Sequence, residues 1–175
     1  MNKKSLLVAL CTALLATTAQ ADEVTLRTNK AAGQSLTIAL NAGVQAQLAW
    51  DGGSTSTVAF TGEEQAIPVQ GAALTIPTSQ PITMLCAPDN GLTELTLTDA
   101  TNLMQLIVPG NALTALDLSG VPVLEELNCS DNQLTALTTG DCPNLVSLDC
   151  ANNQITSILT SKNTSLQILN CAGNK

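Results

Sequence analysis

An asparagine recurs every 21 residues through the second half of the chain, at Asn90, Asn111, Asn132, Asn153 and Asn174. Apolar residues stand around it at fixed offsets. Two residues later come Leu92, Leu113, Leu134 and Ile155, and three further on Leu95, Leu116, Leu137 and Ile158. Ahead of it, Leu124, Leu145 and Leu166 share the period, as do Leu127, Leu148 and Leu169, and the cysteines Cys129, Cys150 and Cys171. A period of this length calls for a stack of equivalent supersecondary units, each too small to bury its own leucines.

The unit reads L-x-x-L-x-[CVA]-x-x-N-x-[LI]-x-x-[LI], with copies at 82–102, 103–123, 124–144 and 145–165 and a truncated fifth from Leu166. Alternation at the second leucine and the cysteine predicts a short strand with those side chains inward. Stacked strands then form a parallel sheet stepping about 4.8 Å per unit. The asparagine falls where the chain leaves the strand, and its amide is suited to bond both its own unit and the neighbouring backbone. The unit resembles the leucine-rich repeat, over 82–175. The expected fold is mainly β: a leucine-rich repeat solenoid with a short parallel sheet, preceded by a small β-rich capping domain.

The cysteine column reads Ala87, Val108, Cys129, Cys150, Cys171, so the position asks for a small apolar side chain. A straight ladder of parallel side chains does not converge into a tetrahedral metal site. A disulfide between rungs remains open, since strand spacing lies within the permitted Cα range, although in-register side chains point the same way. Buried thiols are the expected state. Cys142 shares a column with Ala100 and Val121 and reads as packing on the convex side.

Composition removes several functions. The chain has no histidine and no tyrosine, so every Ser-His, Cys-His or His-metal arrangement is missing, and no cofactor or metal is expected. Residues 1–21 read as a secretory signal peptide: Lys3 and Lys4, an apolar run from Leu6 to Leu15, then Ala19-Gln20-Ala21. Cys11 sits too early, behind a large leucine, to be a lipid anchor. Without that leader the formal charge moves from −8 to 4 − 14 = −10. No cation occurs between Lys30 and Lys162, which sets nucleic acid aside. No later stretch is apolar enough to span a membrane.

Between residues 22 and 81 the repeat is absent. Short alternating runs appear instead, "VTLRT", "SLTIAL", "AQLAW", "STVAF" and "ALTI", separated by turn residues, and these read as strands. Trp50 and Phe60, the only large aromatics, end two adjacent candidate strands and are expected to pack together. The likeness to the small β domains that precede repeats in exported bacterial proteins implies a cap on the first repeat.

Cysteine in place of the inward leucine, at a 21-residue period, is similar to the repeats of internalin-type, internalin J-like bacterial surface proteins. That resemblance implies a secreted or cell-surface, non-enzymatic adhesion module and a virulence-factor candidate. Its partner would be a protein or glycoprotein on a host or neighbouring bacterial surface. The resemblance also implies that the outward strand residues line a concave binding face: Met104, Gln105, Ile107, Glu125, Glu126, Asn128, Val146, Ser147, Asp149, Gln167 and Asn170. The five asparagines and Cys129, Cys150 and Cys171 are assigned structural duty. Alternatives are a spacer or cap without its own ligand, a carbohydrate-binding module, or a glycosidase using Glu126 and Asp149. The first two repeats lack the cysteine, and the last repeat stops one residue after Asn174. The expectation is a fragment of a longer surface protein, or a short one whose end another chain covers.

Overall fold

The computed structural model describes residues 22–175; the expected leader, with Cys11, lies outside the described residues. Twelve strands and no helix occur among them. The segment before the repeats supplies β1 (Asp22–Thr28), β2 (Ser35–Leu40), β3 (Gln45–Trp50), β4 (Thr55–Ala59), β5 (Gln65–Pro68) and β6 (Ala73–Thr78). The repeats supply β7 (Met84–Cys86), β8 (Leu92–Thr98), β9 (Gln105–Ile107), β10 (Glu126–Asn128), β11 (Ser147–Asp149) and β12 (Ile168–Asn170).

Two sheets share these strands. The five-stranded sheet runs β4-β3-β6-β1-β8 and is antiparallel throughout. The seven-stranded sheet runs β12-β11-β10-β9-β7-β2-β5. Its repeat strands are parallel and strictly in register, so that Leu85, Leu106, Leu127, Leu148 and Leu169 stand side by side. Beyond β7 the same sheet continues antiparallel into β2 and β5. The first repeat therefore belongs to both sheets, giving β7 to one and β8 to the other. One hydrophobic cluster runs without a break from Val24 to Ile155.

The inward leucines explain why the stack holds. Leu106, Leu127 and Leu148 are buried, each contributing about 1.5–3 kcal/mol by leaving water. Leu169, on the last rung, keeps 46% of its surface exposed because no further strand lies against it.

Trp50 and Phe60 do not form the expected aromatic pair. The β3–β4 hairpin puts Trp50 at its turn, donating its backbone N–H to Ser54 O at 2.9 Å. Phe60 lies at the open end, donating to Val44 O at 2.7 Å. Six residues of extended strand separate the two, about 20 Å. Each ring is buried in its own part of the core.

Candidate functional site: the concave strand face

The outward residues of β9 to β12, with the residue preceding each strand, form three columns on the concave face. Met104, Glu125, Val146 and Gln167 make the first; Gln105, Glu126, Ser147 and Ile168 the second; Ile107, Asn128, Asp149 and Asn170 the third. Met104, Gln105, Glu125 and Gln167 are exposed, and Ile168 is 61% exposed. The rest of the first three rungs is half-buried, shaded by neighbours one strand away.

Hydrogen bonding divides the columns by role. In the third, Asn128 Oδ1 accepts from Ser130 N at 3.0 Å, Asp149 Oδ1 from Ala151 N at 3.0 Å, and Asn170 Oδ1 from Ala172 N at 3.3 Å. Each is an Asx turn that folds the chain out of its strand. Sequence reasoning placed these three among the binding residues; the structure gives them a turn-holding bond as well. Across rungs, Gln105 Nε2 donates to Glu126 Oε2 at 3.0 Å and Asn170 Nδ2 to Asp149 Oδ2 at 3.1 Å. Glu126 and Asp149 thus each hold an amide, and they stand in different columns on adjacent strands. Glu125 and Gln167 make no side-chain hydrogen bond among the described residues.

Below the strands, the asparagine column is buried and bonded rung to rung. Asn132 Oδ1 accepts from Leu113 N at 3.0 Å in the preceding unit. Its Nδ2 donates to Val108 O, Cys129 O and Ser130 O at 3.0, 3.2 and 3.0 Å. Asn111, Asn153 and Asn174 repeat the scheme. Asn90 has no earlier repeat beneath it and bonds β2 instead, accepting from Thr37 N at 2.7 Å and donating to Thr37 O at 2.6 Å.

Two further columns escaped the sequence reading. The residue before each ladder asparagine has a left-handed backbone: Asp89, Gly110, Asp131, Asn152 and Gly173, with φ of 51°, 67°, 53°, 53° and 70°. Only glycine and short polar residues adopt this readily. The 21-residue spacing of Asp, Gly and Asn was the available signal. On the convex side, Asn163 follows Ala100, Val121 and Cys142 in one column, yet it is a buried amide. It donates to Thr139 O and Cys142 O at 2.8 Å each, and accepts from Thr139 Oγ1 at 2.7 Å.

The cysteine column lies inward beside the leucines. Cys129 and Cys150 are fully buried free thiols, Cys142 is buried and free on the convex side, Cys86 is half-buried and Cys171 is exposed. A family model for leucine-rich repeats, in two copies, matches residues 122–163. The functional domain of InlJ from Listeria monocytogenes, which includes a cysteine ladder, is similar in structure at a TM-score of 0.55 and 32% identity. The match covers 62% of this chain and 24% of that one, so the chain spans about a quarter of that domain. No curated protein matches. The chain carries leucine-rich repeats, and they are similar to those of an internalin. Internalin-type repeats are a non-enzymatic fold that serves protein interaction in general.

In this internalin-like array, burial sets the thiol chemistry. Burial, then the neighbouring Cys150 and Asp149, push Cys129 up to about 12. Burial, then Cys171 and Asp149, push Cys150 up to about 11, and burial with Asp141 raises Cys142 to about 11. At pH 8 a thiol reagent is expected to label Cys171 quickly, and Cys129, Cys142 and Cys150 only after unfolding. Between pH 9 and 12 the unfolded chain binds fewer protons than the folded one, so stability falls as pH rises through that window. The urea midpoint should therefore hold steady up to pH 8.5 or so and then decline, less steeply in Cys129→Val. A midpoint flat from pH 8 to pH 11 would contradict burial of the ladder.

Proposed function

We propose that the protein is exported and binds a protein or glycoprotein on a host or neighbouring bacterial surface through the concave face of its repeats. Residues 1–21 support export by their sequence, and among the described residues no helix is long and apolar enough to cross a membrane. The observation that carries the reading is the first concave column. Met104, Glu125 and Gln167 are exposed, each immediately before one of the parallel strands, and none of their side chains makes a hydrogen bond among the described residues. Outward residues that hold nothing inside the molecule are available to a partner, and neighbouring strands present them at fixed spacing. The face carries Glu125, Glu126 and Asp149 and no cation, so its partner presents positive or amide-rich groups between apolar ones.

The test is charge reversal. Glu125→Lys with Glu126→Lys breaks no buried contact and only the exposed bond to Gln105, so the melting temperature should move by no more than about 3 °C. Binding of the purified chain to mucus, matrix or bacterial surfaces should fall at least about tenfold at low salt. Undiminished binding to every surface would remove the acidic half of the strip from the site. Absence of any partner for the wild-type chain would favour a spacer.

A further inference from the structure

We propose that Asn128 is an acceptor for N-linked glycosylation, modified during export, so that the third repeat carries its glycan out of the concave face. Two Asn-x-Ser triplets occur in the chain, Asn128-Cys129-Ser130 and Asn163-Thr164-Ser165. This is the acceptor pattern of exported glycoproteins. The structure separates the two. Asn163 is 4% exposed and its Nδ2 donates to both Thr139 O and Cys142 O, so a sugar on that nitrogen has no exit and removes a buried bond.

Asn128 differs on each point. Its side chain stands on the outward side of β10, half-buried at the open face. Its fold-bearing bonds all fall on Oδ1, which accepts from Ser130 N at 3.0 Å and from Ser130 Oγ at 2.8 Å. Nδ2 makes no hydrogen bond among the described residues. A substituent on that nitrogen therefore leaves the Asx turn whole.

The reaction needs a glycosyl donor on a lipid diphosphate and an oligosaccharyltransferase. Nδ2 attacks the anomeric carbon, an N–C bond forms, the C–O bond to phosphate breaks, the lipid diphosphate leaves, and the amide proton passes to a base of the transferase. In the folded chain β10 is paired on both sides, with β9 and β11. Transfer therefore precedes the docking of those rungs, during export, and folding then selects between the two sites: a glycan on Asn128 stands outside the packed rungs, whereas one on Asn163 keeps them from closing, so the soluble folded chain carries the first alone. Once attached, the glycan rises between Ile107 and Asp149 and divides the concave strip into an apolar end at Met104 and a polar end at Gln167.

The proposal rests on the export reading, and the experiment keeps the two apart. The full chain is produced in cells holding a transferase that reads Asn-x-Ser/Thr and its lipid-linked glycan, once with residues 1–21 and once with a proven leader in their place. Soluble exported chain is mapped by mass spectrometry. The expected result is glycan on Asn128 and none on Asn163, lost in Asn128→Gln and in Ser130→Ala, with the glycosylated chain melting within about 3 °C of the bare one. Glycan in the proven-leader chain alone upholds the acceptor and removes the export reading. Exported chain with Asn128 bare, or glycosylated chain that melts more than about 10 °C lower, overturns the proposal.

Discussion

Cys129→Asp is expected to leave the repeats unfolded at 37 °C, while Cys129→Val is expected to melt close to the wild type. Cys129 is completely buried in the middle of the inward column, with valine in the equivalent place one rung earlier at Val108. Valine keeps the volume and apolar character that the slot selects. Aspartate puts a carboxylate among Leu127, Leu148 and Cys150 with no cation anywhere between Lys30 and Lys162 to answer it. It must either stay charged and unpaired or take up a proton, and the loss exceeds about 4 kcal/mol in either case, a large part of a small domain's stability. Circular dichroism melts of both variants decide it. A Cys129→Asp chain that melts within a few degrees of wild type would mean that the column is wet.

Asn132→Ala is expected to cost about 3 kcal/mol, and Asn174→Ala less than about 1 kcal/mol. The first strands Leu113 N together with Val108 O, Cys129 O and Ser130 O, backbone groups that lie where water does not reach. Unsatisfied buried groups carry about 1–3 kcal/mol each, partly relieved where a carbonyl keeps another partner. Asn174 is only half-buried, and its bond to Cys171 O is exposed. Urea titrations of the two variants measure the difference. Equal losses would show that the asparagines do not act as a buried ladder.

The solenoid was legible because its signal is repeated: one leucine in a strand says little, but Leu106, Leu127 and Leu148 at one spacing say that a face is buried. Strands β1 to β4 and β6 were legible from alternation bounded by turn residues. β5 was not, since its four residues bury only Ile67 and end in Pro68. β8 was not either, because Leu92–Thr98 reads like the segment after every other ladder asparagine. It becomes a strand only through the edge of β1, a tertiary fact. The concave columns followed from period alone, but the turn-holding part of Asn128 and Asp149 required knowing which backbone N–H each faces. Asn163 sits where small apolar residues stand in other repeats, and what admits it is Thr139, 24 residues earlier, the same offset that links Asn132 to Val108.

The seam at Asn90 gives the array a direction. Every other ladder asparagine reads a repeat beneath it, whereas Asn90 reads Thr37 of a strand that runs the opposite way. That junction is a single bespoke fitting, completed by Lys30 Nζ on Asn90 Oδ1 at 3.3 Å and by Thr28 Oγ1 on Asn90 O at 2.7 Å. Rungs further along are joined by one repeated asparagine scheme, with a few pairs of their own such as Thr139 with Asn163. A whole unit added or removed among the later rungs therefore leaves the asparagine scheme able to re-form, whereas one added or removed at the seam separates Asn90 from the only strand that fits it.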